Sequence, residues 1–135
     1  EMSASLVGSE MCIRDRPTFV PVVADYYAGM ETMIPLDLPA LGLTAQQVAD
    51  ALADYYAGQK MISVHPLNEG TDGGFLAANK LAGLDRLEIF CLANPDGTQM
   101  ELISLFDNLG KGSSGAAVQC MNLMLGLDET AGLAL

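Results

Sequence analysis

Apolar residues alternate, or recur every three to four positions, in short blocks separated by glycine and proline. Residues 18–23, TFVPVV, are β-branched and aromatic, which suits a strand. Pro21 puts that strand at an edge or at a bulge. Residues 25–29, DYYAG, read as a turn or as a loop facing an active site. Residues 30–38, METMIPLDL, alternate as a second strand, expected to pair with the first as a hairpin-like unit. Thr44 and Gln47 have the spacing of a capping box, so a helix starts there. Its expected apolar stripe is Val48, Leu52 and Tyr55, flanked by Ala51 and Tyr56, and Gly58 ends it. Residues 61–65, MISVH, predict a short strand stopped by Pro66. Residues 67–84 are rich in glycine and poor in periodic apolar positions, the pattern of a long and often functional loop. Residues 86–93, RLEIFCLA, and 99–106, QMELISLF, predict two strands around the turn Asn94-Pro95-Asp96-Gly97. Residues 114–125 predict a last helix, ended by Gly126, with Ala117, Met121 and Met124 on one face and Gln119 and Asn122 on a polar edge.

Strand, strand, helix, three strands, helix is the resulting order. Hairpins dominate and βαβ units are missing, so the expected class is α+β, a mostly antiparallel sheet with helices on one face. The hexapeptide ADYYAG occurs at 24–29 and again at 53–58, but in unlike contexts with nothing repeating around it, so it does not signal a repeat architecture.

Composition supports a packed domain. The 135 residues are 50% hydrophobic and the mean hydropathy is +0.29. The longest apolar stretch, residues 115–127, is interrupted by Gln119 and Asn122 and falls short of the roughly 18–20 residues of a membrane span. The basic start and apolar stretch of a secretory signal are not seen. A formal net charge of −11 works against nucleic acid or anionic lipid as partners. Beyond residue 16 the cations are Lys60, Lys80, Arg86 and Lys111, too scattered for a basic patch. Cys12, Cys91 and Cys120 are odd in number and widely spaced, which argues against a disulfide framework and for a reducing cytoplasm. Cys91 and Cys120 read as small buried apolar residues. His65, the single histidine, reads as a surface or loop residue, and no metal site is expected.

The segment 5–16, SLVGSEMCIRDR, has no helical or strand period and resembles a peptide that arises when sequencing adapter is translated. Residues 1–16 are therefore set apart as a non-native segment. Glu1, Glu10 and Asp15 against Arg14 and Arg16 give it −1, so the remaining residues hold −10 and the acidity is intrinsic.

Chemistry concentrates at residues 107–112, DNLGKG, between the last strand and the last helix. Gly110 and Gly112 permit close backbone approach, the following helix start offers N–H groups, and Lys111 is the last cation of the chain. The segment is not a phosphate-binding P-loop, because Leu105 stands where that motif needs glycine. GKGSSG at 110–115 matches the letters of a dinucleotide fingerprint without its βαβ setting. On the residues alone, a plain turn and a ligand loop both remain open.

The stretch 107–129, DNLGKGSSGAAVQCMNLMLGLDE, resembles the C-terminal signature of N-acetyl-gamma-glutamyl-phosphate reductases, and 19–30, FVPVVADYYAGM, resembles their segment just after the catalytic histidine. The loop 76–86, LAANKLAGLDR, departs from the asparagine- and threonine-rich form of the shorter-chain branch. The resemblance implies a C-terminal domain like that of glyceraldehyde-3-phosphate dehydrogenase, in a homo-oligomeric, cytoplasmic enzyme of arginine biosynthesis. Such enzymes reduce N-acetyl-glutamyl phosphate to the semialdehyde with NADP(H), through a cysteine thiolate and a histidine acid–base. The motifs that carry those two groups, Asn-Pro-Gly-Cys and His-x-His-x-Pro-Glu, do not occur here, so no catalytic residue is assigned. The resemblance carries over only the turn: Asn108 near the nicotinamide amide, Gly110 and Gly112 for close approach, and Lys111 toward a phosphate. It also implies that residues 17–106 form a substrate and dimerisation domain, that residues 107–135 form a cofactor-contacting turn and the last helix, and that this helix packs on a nucleotide-binding domain. A related semialdehyde dehydrogenase and a non-catalytic dimerisation module are the competing readings. The expected outcome for this chain alone is no turnover: NADPH mixed with the acyl phosphate should keep its 340 nm absorbance.

Overall fold

The computed structural model describes residues 20–135; the segment set apart above, and residues 17–19, lie outside that range. Four strands make one sheet: β1 (Met30–Asp37), β2 (Ile62–Val64), β3 (Leu87–Ala93) and β4 (Gln99–Phe106). Their spatial order is β1-β4-β3-β2. β4 pairs antiparallel with β1 on one side and with β3 on the other, while β2 runs parallel to β3 at the edge. The helices are α1 (Leu38–Leu41), α2 (Ala45–Tyr55) and α3 (Gly115–Met124), the last entered through a π-turn over Gly110–Ser114. The α+β class with a mostly antiparallel sheet is as expected.

The described part of the expected first strand, residues 20–23, does not form a strand. Val20, Val22 and Val23 are exposed there. Pro21 has no N–H to give, and β4 already supplies β1 with an unbroken partner from Met30↔Phe106 to Asp37↔Gln99. β1 is thus a sheet edge rather than one arm of an early hairpin.

The sheet is covered on both faces. On one, Cys91, Met100, Leu102, Leu36 and Val64 pack with Leu38, Ala45, Val48, Ala49 and Leu52. The face of α2 that meets the sheet is therefore Ala45–Val48–Ala49–Leu52, a helical i, i+3, i+4, i+7 set. Tyr55 and Ala51, expected on the stripe, are exposed. On the other face, Phe90, Ile103 and Leu105 are covered by Leu76, Leu81 and Leu84. The second layer there is not a helix but the long loop, anchored through the fully buried Leu81.

The capping box is formed as its letters predicted. Gln47 N–H donates to Thr44 Oγ1 at 3.2 Å, and Thr44 N–H donates to Gln47 Oε1 at 2.8 Å. At the other end of the chain, Asn122 is buried, not part of a solvated edge. Its amide donates to the carbonyls of Glu129 and Ala131 and folds the tail back along α3. Lys60 pairs with Asp128, and Asp85 exchanges backbone and side-chain hydrogen bonds with Ala134. Thr44→Ala should cost about 1 kcal/mol by loss of the cap. A urea midpoint unchanged within error would contradict this account of how α2 starts.

Candidate functional site

Strand β4 ends at Phe106, and the next residue turns a carboxylate inward. Asp107 is 3% exposed. It accepts N–H bonds from Gly83 (2.5 Å), Leu109 (2.7 Å) and Gly110 (3.1 Å). The Gly83 N–H bond, with those of Leu109 and Gly110, holds this carboxyl below the usual aspartate range against the opposing effect of burial. One side chain thus ties the long loop to the end of the sheet and shapes the turn into α3.

Beside Asp107 lies an open cleft of about 570 Å³, between Tyr26, Tyr27 and Ala28, the loop residues Asn79, Ala82 and Gly83, and the turn residues Leu109, Gly110 and Ser114. The residues expected to face a site, 25–29, the long loop and DNLGKG, come together here. Asn108 joins two of these walls: its Oδ1 accepts the Gly29 N–H at 3.0 Å. Gly29 sits at φ 130°, and a methyl group on it would lie 2.6 Å from Ala78 O and Asn79 Cα. Only glycine allows that approach. The Asn108 amide nitrogen makes no hydrogen bond to a described residue.

The rest of DNLGKG is engaged within the protein. A Cβ on Gly110 would meet Asp85 and Leu84, and one on Gly112 would meet the Phe106 ring, each at 2.9 Å. Their close approach is to neighbouring side chains and backbone. Gly112 N–H donates to Asp107 O, and Ser114 N–H to Leu109 O. With the Leu109 and Gly110 N–H groups on the Asp107 carboxylate, the turn has spent donors that sequence reasoning offered to an anion. Lys111 Nζ donates to Gln119 Oε1, whose amide donates to Glu129 at 2.8 Å. An anionic ligand would have to draw Lys111 from that chain.

A second buried acid went unread in the sequence. Glu88, 6% exposed on β3, gathers Lys80 Nζ (3.0 Å), His65 Nε2 (3.0 Å) and Arg86 Nη2 (3.1 Å). Burial alone would raise its pKa; the hydrogen bonds and charges of Lys80 and His65 together outweigh it, and the net direction is down. His65 is therefore not a plain loop histidine. Its ring stacks on Phe90 at 4.2 Å, and Lys80 lies 5.2 Å from the same ring centre. The available signal was Glu88 itself, a lone charge between inward-facing apolar residues of a strand. Cys91 is buried as expected, and burial raises its pKa, whereas Cys120 is exposed on α3. Among the described residues no cluster of His, Cys, Asp and Glu could hold a metal ion, and no helix is long and apolar enough to cross a membrane.

Residues 1–108 match the family described as semialdehyde dehydrogenase, dimerisation domain. The chain is 40% identical to N-acetyl-gamma-glutamyl-phosphate reductase 2 of Nostoc sp. over 122 residues, covering 87% of this chain and 38% of that protein. It is 43% identical to the N-acetyl-gamma-glutamyl-phosphate reductase of Rhizobium meliloti, covering 81% of this chain and 36% of the relative, and 43% identical to that of Brucella anthropi, covering 82% and 36%. The chain thus spans little more than a third of the length of these curated relatives.

Asp107 and Glu88 both have folded-state pKa values below their ordinary ones, so each contributes stability that is present above the ordinary value and lost as pH falls through the folded one. Stability should therefore decline as pH drops below about 4. Asp107→Asn should cost about 3 kcal/mol at neutral pH, since an amide turned toward three N–H groups loses charge-assisted bonds. It should also flatten the acid limb. Urea titrations at pH 7 and pH 3.5 check this, and an unchanged acid limb would remove Asp107 as its cause.

Proposed function

We infer the function from one premise: the chain belongs to the semialdehyde dehydrogenase dimerisation-domain family. It is the C-terminal part of an NADPH-dependent N-acetyl-gamma-glutamyl-phosphate reductase. The whole enzyme converts an acyl phosphate to the semialdehyde, releases phosphate, and works in arginine biosynthesis in the cytoplasm. Relatives of that name align over more than four-fifths of this chain. The observation that carries the reading is the convergence of residues 26–28, 79–83 and 107–114 on one cleft, with the Asn108 amide nitrogen unbonded to any described residue.

The residues suit one end of the cofactor. Asn108 has two N–H groups for a carboxamide oxygen, and its own oxygen is fixed by Gly29, so its orientation is set before any ligand arrives. NADPH, when bound, supplies the hydride. Asn108 would orient the nicotinamide ring, and the Tyr26, Tyr27 and Leu109 side chains would exclude water from it. The phosphate-bearing end finds less here, because Lys111 and the turn's N–H groups are engaged internally. The thiolate and the acid–base histidine come from elsewhere in the enzyme.

Dimerisation fits the sheet. Among the described residues β1 has β4 on one side and no strand on the other, and it exposes Met30, Met33 and Ile34. A second copy would cover that edge and those side chains. In the complete enzyme, Asn108→Ala should raise the KM for NADPH about tenfold, equivalent to about 1.4 kcal/mol of lost binding, with a smaller effect on the KM for the acyl phosphate. Steady-state kinetics decides, and an unchanged KM for NADPH would remove Asn108 from the cofactor site.

A further inference from the structure

Glu88 lies on the face of the sheet that the long loop covers, and it takes no part in the cleft. Yet two of the four cations among the described residues, and the only histidine, are turned onto its two oxygens. Oε2 takes both His65 and Lys80, and Oε1 takes Arg86. These three residues bracket the loop: His65 at its start, Lys80 inside it, Arg86 at its return to β3. A buried carboxylate bound this way resists displacement, because leaving the cluster would strip it of two cations and a histidine hydrogen bond.

The contacts lead from there to the cleft in short steps. Lys80 is covalently next to Asn79, which lines the cleft. Asn79 Cα and Ala78 O abut the bare face of Gly29, with no room for a methyl group between them. Gly29 N–H in turn fixes Asn108 Oδ1. On the opposite flank, Asp107 fixes Gly83, so residues 79–83 are held at both ends. A shift of Lys80 is therefore passed to Asn79, to Gly29 and to the amide of Asn108.

We propose that Glu88 is a positioning residue: through Lys80, Asn79 and Gly29 it sets the orientation of the Asn108 amide, whose chain neighbours Asp107 and Leu109 line the cleft. The proposal rests on the cofactor reading of Asn108. It makes a buried ion cluster on one face of the sheet a determinant of ligand affinity beyond the fold it stabilises.

The test uses the complete enzyme with Glu88→Gln, Lys80→Met and the double variant, beside Asn108→Ala. Glu88→Gln keeps the shape and removes the charge, and Lys80→Met keeps much of the apolar stem over Phe90. Each single variant is expected to raise the KM for NADPH three- to tenfold with kcat changed less than twofold. The double variant should be no worse than the worse single one, because both cut the same chain of contacts. Amide exchange at Gly29 should quicken in each of these variants. If Glu88→Gln does not fold, Lys80→Met, at a partly exposed position, carries the test alone. Variants that lose thermal stability but keep both the KM for NADPH and the Gly29 exchange rate would show a purely structural cluster and overturn the proposal. If Asn108→Ala raises the KM and the Glu88 and Lys80 variants do not, the proposal fails and the cofactor reading stands. If none of the four changes the KM, the cofactor reading fails as well.

Discussion

A carboxylate without a cation governs this structure. Asp107 is buried at the end of β4, and its charge is met by three backbone N–H groups. An ionised group taken out of water costs several kcal/mol unless its lone pairs are filled. The chain fills them from both sides of the sheet's end: Gly83 brings in the long loop, while Leu109 and Gly110 bend the backbone into the π-turn. Cleft, loop anchor and entry to α3 thus share one origin. The same arrangement decides what the turn is able to recognise. N–H groups that satisfy Asp107 are not offered to a phosphate, so selectivity at the turn falls to the Asn108 side chain.

The two interior acids are handled in different ways, and the difference shapes the surface. Asp107 is neutralised by backbone dipoles, whereas Glu88 draws in Lys80, Arg86 and His65. In a chain of net charge −11 this withdraws cations from a small supply. Of the other two among the described residues, Lys60 faces Asp128 and Lys111 faces Gln119. Among the described residues no cation lines the cleft. On the reductase reading proposed above, this cleft would contribute orientation rather than charge.

Much of the fold was legible because it rests on local signals. The Thr44 and Gln47 capping box, the Asn94-Pro95-Asp96-Gly97 turn and the alternation of the two long strands act over a few residues, and the structure has all of them. Long-range choices were not legible. Nothing local tells residues 20–23 that β4 prefers β1, or that the face of α2 turns its alanines rather than Tyr55 to the sheet. For the cleft, the participating segments could be read but their wiring could not. Gly110 and Gly112 look the same in sequence whether their bare side meets a ligand or, as here, Asp85 and Phe106. Asp107 and Glu88 are ordinary letters until tertiary packing buries them.

The last helix shows how polar contacts free an apolar surface. α3 has ten residues, marginal for a helix standing alone. Its hold on the domain is largely polar: Asn122 grips the tail, the tail ties to Asp85 and Lys60, and Gln119 links Lys111 to Glu129. Because these bonds fix the helix, its apolar side chains need not face this domain's core. Met121, Leu123, Met124 and Leu125 are exposed, Met124 to 87%. Hydrophobic side chains so placed in one short helix are costly in water and gain only when covered. The outer edge of β1 exposes a second such set at Met30, Met33 and Ile34. Both surfaces lose unfavourable contact with water when another protein surface covers them.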